Sequence, residues 1–148
     1  MSLPVFLPPV AGAVHNVLGS PCRFLVTTVE SGGAFALIEV TAPPRSAVPL
    51  HRHSREDETF FVLQGTMSVH WGDSSYILEK GATVFLPRNI PHSYRNPTEE
   101  AALYLVLITP GGFEKCLEEF ARLPSAQPPS FDTLVGIGRK YGLEFPSG

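Results

Sequence analysis

Residues 51–65 have the sequence HRHSREDETFFVLQG, in which two histidines, an acidic run and an apolar run follow one another. His51 and His53 are two positions apart, so both imidazoles leave the same face of an extended strand. Glu58 follows His53 by an odd number of positions, which places it on the opposite face of an uninterrupted strand. Residues 54–57 must therefore contain a turn or a bulge for Glu58 to rejoin the histidines.

Short runs of β-forming residues, divided by turn residues, extend from about residue 23 to residue 109. Gly72 and Asp73 separate the runs TMSVHW and SSYILE and are typical of a hairpin turn. The chain also has 15 prolines and 13 glycines, more than a helical bundle tolerates. The pattern predicts an all-β domain, built as an antiparallel sandwich or a small barrel.

The pattern becomes helical after residue 110. GGFEKCLEEFARL has apolar residues at helical spacing, and FDTLVGIGRKYG has a second apolar face with Gly142 placed as a C-cap. Two short helices are therefore expected after the β-domain. The predicted organisation is an N-terminal arm at 1–22, a β-barrel at 23–110 and a C-terminal helical extension at 111–148.

The net charge of −3 comes without a cluster of Lys or Arg, which argues against nucleic acid or an anionic membrane as partner. The first 22 residues contain four prolines and no Lys or Arg, so we expect neither a signal peptide nor a membrane span. A cytosolic location is predicted. Cys22 and Cys116 are far apart in sequence and are expected to be reduced thiols.

A fourth chemically active residue, His92, follows the run FLPRNIP at the start of another strand. Three neutral imidazoles and one carboxylate form a nitrogen and oxygen ligand set that suits one divalent first-row transition metal: Fe, Mn, Co, Ni, Cu or Zn. The alternative for the first cluster alone is two solvated histidines beside a polar turn.

Two spaced motifs resemble those of the cupin superfamily, in particular small proteins with a single cupin domain. The first cupin motif is Gly-x5-His-x-His, three or four residues, Glu, six residues and Gly, and the second is Gly-x5-Pro-x-Gly-x2-His-x3-Asn. Arg45 and Asn89 stand where the motifs usually have glycine. The matching residues are His51, His53, Glu58 and Gly65 in the first motif, and Gly81, Pro87, His92 and Asn96 in the second.

The resemblance implies a cupin-type antiparallel barrel, or jelly roll, in which His51, His53, Glu58 and His92 bind the metal. It selects Glu58 rather than Glu56 as the carboxylate ligand. Glu56 and Asp57 are then expected to be solvated turn residues, with Glu56 a weaker candidate for contact with a metal ligand.

Strand alternation from Glu58 and His92 predicts which side chains line a pocket around the metal. Phe60 and Val62 share a face with Glu58, and Tyr94 shares a face with His92. The alternative for Phe60 and Val62 is ordinary barrel core. Asn96 is expected to hold a turn rather than to contact a ligand.

The sequence looks most similar to the quercetin dioxygenase-like group of cupins. This resemblance implies a metal-dependent dioxygenase that acts on a flavonol or similar hydroxy-ketone, with Glu58 also accepting the substrate's hydroxyl proton. Two alternatives stay open: a non-catalytic cupin that binds a small molecule, and a metal-dependent isomerase or hydrolase of a small metabolite. The family also suggests a homodimer.

Overall fold

The structure is a computed structural model that describes residues 2–146. The predicted arm and helical extension also include residues 1 and 147–148, which lie outside the described residues. In chain order the strands are β1 (Val14–Val17), β2 (Ser20–Val26), β3 (Ala36–Ala42), β4 (Ala47–His53), β5 (Asp57–Gln64), β6 (Met67–Trp71), β7 (Ser74–Leu78), β8 (Thr83–Leu86), β9 (His92–Arg95), β10 (Ala102–Thr109) and β11 (Leu143–Glu144). The helices are α1 (Glu114–Ala121) and α2 (Phe131–Lys140).

The strands form two antiparallel sheets, which confirms the predicted all-β jelly roll. One sheet has the order β1-β2-β3-β10-β5-β8, and the other has the order β11-β4-β9-β6-β7. Along β3 and β10 every second residue is buried, as expected for strands with one face towards a core. The two predicted C-terminal helices are also present, as α1 and α2.

The sheets include segments outside the predicted barrel of residues 23–110. Strand β1 and the start of β2 fall within the predicted N-terminal arm, and β11 falls within the predicted helical extension. In β11, Leu143 pairs with His53 of β4. Strand β11 was missed because it has two residues and depends on β4, which is distant in sequence, for its backbone hydrogen bonds. Strand β1 has four residues and forms a local hairpin with β2, in a segment that the sequence analysis assigned to an arm.

The segment between His53 and Glu58 is a crossover between sheets. Strand β4 belongs to the five-stranded sheet and β5 to the six-stranded sheet, and a bend at Ser54 and Arg55 separates them. The predicted turn therefore exists. It brings Glu58 back towards the histidines from the facing sheet rather than from the same strand.

Arg45 and Asn89, the two residues that stand where glycine is usual, both keep the left-handed backbone conformation that glycine favours. Their φ angles are +60° and +68°. The left-handed conformation costs a residue such as Arg45 about 1–2 kcal/mol. The Arg45 side chain donates to Pro97 O at 2.6 Å and to Glu99 Oε1 at 2.7 Å. These bonds help to hold the turn before β4.

The helices pack on the barrel through their apolar faces, and Phe113, Cys116 and Phe120 are buried. Ser130 caps α2 by accepting a hydrogen bond from Thr133 N at 3.2 Å. Within residues 2–146, neither helix is long and apolar enough to span a membrane. Cys22 and Cys116 are buried free cysteines.

Asn96 joins the loops at one end of the barrel. Its side chain is only 1% exposed. Its Nδ2 donates to the carbonyls of Ala42 at 3.1 Å, Pro43 at 3.2 Å and Glu100 at 2.7 Å, and its Oδ1 accepts from Thr98 N at 3.0 Å. Asn96 thus holds turns rather than facing the metal candidates, as expected from the sequence.

Replacing Asn96 with alanine should lower the free energy of unfolding by about 2–3 kcal/mol, because it leaves buried carbonyls without their donor. Urea denaturation of Asn96→Ala and the parent protein measures this change. Asn16→Ala, which removes a hydrogen bond at an exposed turn, is the control and should cost less than about 1 kcal/mol. Equal stability of the two variants would contradict the role assigned to Asn96.

Candidate metal centre

Three strands bring the four predicted ligands together inside the barrel. His51 and His53 come from β4, and His92 comes from β9, where it is the register partner of His51. Glu58 faces them from β5 in the other sheet. One potential ligand atom from each residue lies within 4.8 Å of all the others, and all four residues are buried.

The imidazoles are oriented so that their Nε2 atoms are available to the centre. His51 Nδ1 lies 2.7 Å from Pro49 O, and His92 Nδ1 lies 3.1 Å from Ile90 O. A proton on each Nδ1 is donated to these carbonyls, which leaves a lone pair on Nε2. His53 also turns its Nε2 inward, towards Glu58 Oε1 at 3.0 Å.

Burial and neighbouring charge shift the pKa values of the cluster in different directions. Burial, with the neighbouring histidines, lowers the pKa of His51 to about 4. Burial also acts to lower the pKa of His53, but the negative charge of Glu58 and the nearby carboxylate of Glu56 outweigh it and raise that pKa to about 9. Burial opposes ionisation of Glu58, yet its histidine neighbours hold its pKa well below the usual range.

Buried polar atoms of the cluster lack hydrogen-bond partners among residues 2–146 but are spaced as the ligands of a metal ion. Glu58 Oε1 is 3.3 Å from His92 Nε2, but neither atom has a hydrogen-bond partner within the described part of the chain. Buried polar atoms without partners are costly in a native protein. Three nitrogen donors and one carboxylate at this spacing fit a divalent first-row metal.

Glu56 is not solvated, which corrects the prediction from sequence. It is only 4% exposed, and its Oε2 lies 3.6 Å from His53 Nδ1. Neither atom has a hydrogen-bond partner within residues 2–146. The bend between the sheets turns Glu56 inward beneath His53, so its carboxylate is placed to orient that imidazole from behind.

Asp57 connects the two motifs through Arg88. Its Oδ1 accepts from Arg88 N at 2.8 Å, and its Oδ2 lies 3.1 Å from Arg88 Nη2. These hydrogen bonds lower the pKa of Asp57. Asn89 N also donates to His53 O at 2.7 Å. The loop that precedes His92 is thus fastened to the segment that carries His53 and Glu58.

A mainly apolar cavity of about 200 Å³ adjoins the cluster, and His51, His53 and Glu58 form part of its wall. The C-terminal segment closes part of it, with Leu117 and Phe120 from α1, Leu134 from α2, and Phe145. Phe113 also lines the cavity, and its ring lies 4.5 Å from that of His53. The helices therefore contribute to the pocket as well as to the outside of the fold.

Only Tyr94 of the three predicted pocket residues lines this cavity. Phe60 and Val62 point inward but are each 1% exposed and belong to the core. Phe60 does not reach the cavity because two tyrosines cover its ring. The Phe60 ring centroid is 5.1 Å from that of Tyr94 and 5.3 Å from that of Tyr104. The alternative considered for Phe60 and Val62, barrel core, describes their positions.

The sequence interpretation missed Tyr104, Phe113 and the burial of Glu56. Tyr104 has no detectable signal, because β10 is apolar on both faces and only the structure shows that Tyr104 lies on the buried one. Phe113 lies next to a helix and has no strand alternation to orient it. For Glu56 the local signal is its strand parity with Glu58, which makes it a weaker candidate for contact with a metal ligand but does not predict its burial.

The cupin domain model matches residues 38–108, a region that contains all four candidate ligands. The chain contains a cupin domain. This cupin is similar to quercetin 2,3-dioxygenase of Aspergillus japonicus, with 31% identity over 100 residues, and to that of Bacillus subtilis (strain 168), with 31% identity over 93 residues. Each match covers 62% of the chain but only 28% and 27% of the respective relative.

Solved structures show the same fold. The structure of KdgF from Halomonas sp. superimposes with a TM-score of 0.68 at 18% sequence identity, over 76% of this chain and 99% of that protein. At this identity the likeness concerns the fold alone. It agrees with the jelly roll formed by the two sheets.

Glu56→Gln should weaken metal binding by about 10- to 100-fold, because it removes the charge that orients His53. Titration of the metal-free protein with Co²⁺ or Zn²⁺ against a competing chelator measures the affinity. Glu79→Gln, at an exposed residue far from the cluster in sequence, is the matched control. Equal affinities in both variants would exclude this function of Glu56.

Metal affinity should rise by about tenfold per pH unit between about pH 6 and about pH 8. The reason is that His53, with a pKa raised to about 9, is protonated in the metal-free protein and must lose that proton to bind. His51, with a pKa of about 4, competes little. Calorimetry in buffers of different ionisation enthalpy should show about one proton released per metal. A flat affinity over this range would contradict the assignment.

Proposed function

We propose that the protein is a metal-dependent dioxygenase that acts on an aromatic or hydroxy-ketone small molecule of the flavonol type. The observation that carries the proposal is the opening of a buried three-histidine, one-glutamate cluster into an apolar cavity. Two relatives named quercetin 2,3-dioxygenase support it. The activity is theirs, and its extension to this chain is the proposal.

All four residues of the cluster would bind the metal, and Glu58 would have a second role. His51, His53 and His92 would hold one divalent ion, chosen from Fe, Mn, Co, Ni, Cu and Zn, together with Glu58. Any of these ions would supply Lewis acidity towards an enolate oxygen, and the redox-active ones, which exclude Zn, would also supply redox chemistry towards dioxygen. Glu58 would both ligate the ion and accept a proton.

Glu58 is the carboxylate of the cluster that lines the cavity, so it is the group placed to accept a hydroxyl proton from a bound ligand. Its Oε1 has no hydrogen-bond partner within residues 2–146. This oxygen faces the histidines, 3.0 Å from His53 Nε2 and 3.3 Å from His92 Nε2. A carboxylate that moves off the ion towards the cavity would be placed to take up this proton as the substrate becomes an enolate.

The walls of the cavity would keep water from the reacting atoms. Phe113 covers His53, and Phe120 and Phe145 line the part of the cavity formed by the C-terminal segment. Excluding water strengthens electrostatic interactions at the centre and limits side reactions. An aromatic ligand suits these walls better than a sugar, which would require more polar side chains.

The cytosolic location and the homodimer stay predictions. The outer face of the six-stranded sheet supports self-association, since Phe61 is 42% exposed and Phe85 is 59% exposed on neighbouring strands. The two rings lie diagonally across β5 and β8, since Phe61 pairs with Thr83 and Phe85 with Thr59. A second copy of the chain that covers them would bury both rings.

The test is anaerobic loading of the protein with each candidate metal, followed by measurement of oxygen consumption with a panel of flavonols and diketones. At least one metal and substrate pair should consume oxygen and form a ring-opened product. Glu58→Gln should lower the rate by at least about 100-fold, because it removes the proton acceptor while preserving side-chain volume. Circular dichroism should show an unchanged fold.

Glu79→Gln is the matched control and should retain full activity. Tight ligand binding without oxygen consumption would contradict the dioxygenase proposal in favour of a binding protein. Conversion of a ligand without oxygen consumption would instead indicate an isomerase or hydrolase. Retained activity in Glu58→Gln would exclude the proton-accepting role of Glu58.

A further inference from the structure

Two tyrosines face each other across the interior of the barrel, one from each sheet. Tyr94 is on β9 and Tyr104 is on β10. Their ring centroids are 6.3 Å apart with the ring planes at 77°, and both residues line the cavity. A pair of hydroxyl-bearing side chains is therefore placed in the wall of a mainly apolar space.

The pair lies beside the metal centre, one step deeper along the strands. Tyr94 follows His92 by two positions, or about 7 Å along a strand, and its ring centroid is 5.9 Å from that of His51. The ring of Phe60 packs against both tyrosines. These contacts hold the two tyrosine rings in place. The distance from the Tyr94 ring to the His51 ring is comparable to the width of one aromatic ring.

The two tyrosines, whose ring centroids are 6.3 Å apart, have two hydroxyl donors, and a hydrogen bond between them can use only one. Among residues 2–146, the hydroxyl of Tyr141 donates to Glu119, whereas the hydroxyls of Tyr94 and Tyr104 make no hydrogen bond to any residue outside the pair. At least one donor is left for an occupant of the cavity.

These donors are uncharged hydroxyls in a mainly apolar wall. Arg95 also lines the cavity, but it is exposed at the end of β9. The apolar wall therefore favours a neutral acceptor, because a buried anion is costly without a buried partner of opposite charge. A buried donor without an acceptor is unfavourable, so an occupant that supplies one is selected.

We propose that Tyr94 and Tyr104 form a hydrogen-bonding subsite that binds a neutral oxygen acceptor, such as a carbonyl or an ether, on an aromatic ligand in the cavity. The pair determines specificity: it selects molecules that carry this oxygen about one ring away from the atoms that reach the metal centre. That the ligand is a substrate rests on the proposed function. The subsite itself rests only on the cavity and its two hydroxyls.

Acetophenone and ethylbenzene test the subsite, because they differ only by a carbonyl in place of a methylene group. Their affinities are measured by nuclear magnetic resonance titration of the metal-free protein, of Tyr94→Phe and of Tyr104→Phe. The ratio of the two affinities should fall by about fivefold or more in at least one variant, as expected for loss of one hydrogen bond. Tyr76→Phe, at an exposed tyrosine that stacks on Trp71, is the control and should leave the ratio unchanged.

A second measurement uses the unsubstituted protein, so it does not depend on the folding of a variant. The chain has four tyrosines, and ¹³C labelling of their Cζ atoms reports hydrogen bonding of each hydroxyl. Acetophenone should shift the signals of Tyr94 and Tyr104, and ethylbenzene should not. Unchanged signals, or a ratio that is the same in the parent protein and in both variants, would overturn the proposal.

The outcome is independent of oxidation chemistry. Both measurements omit the metal, dioxygen and flavonols, so a protein that consumes no oxygen can still have the subsite. Conversely, a dioxygenase whose affinity ratio is unaffected by Tyr94→Phe and Tyr104→Phe would retain the proposed function and lose the proposed subsite.

Discussion

The convergence of one carboxylate and three imidazoles in a buried space is the constraint around which this barrel is arranged. A buried carboxylate is costly without compensating partners. Here Glu58 comes from one sheet, and His51, His53 and His92 come from the other. The ionic cluster therefore requires the two sheets to face each other in one register. A shift of one residue in β4 or β5 would turn a ligand away from the centre.

The structure supports this arrangement with contacts that lie outside the cluster. Asp57 holds Arg88 in the loop before His92, and Asn89 donates to the backbone of His53. Glu56 lies behind the imidazole of His53. The polar run that separates His53 from Glu58 is thus a supporting layer, and each of its acidic residues has a different partner.

The cavity beside the cluster divides into regions of different chemistry. Glu58 and two histidines form a polar wall, and Tyr94 and Tyr104 contribute hydroxyls one step away along the barrel. The helices add apolar side chains such as Leu117. Under the proposed function and subsite, a ligand that occupies all three regions would have a group able to approach a metal, an aromatic body and a separate oxygen. These requirements define the proposed ligand more narrowly than the four metal-ligand candidates do.

The sequence by itself determined the parts of the protein that follow local rules. Alternation of apolar residues and turn residues predicted most strands, helical spacing predicted α1 and α2, and the two spaced motifs identified His51, His53, Glu58 and His92. Tertiary structure alone decided the pairing of β11 with β4, the burial of Glu56 and the covering of Phe60 by two tyrosines. The physical reason is that these features depend on which residues distant in sequence come to lie beside one another. A local pattern fixes the face of a strand on which a side chain lies, but only packing decides what that side chain meets.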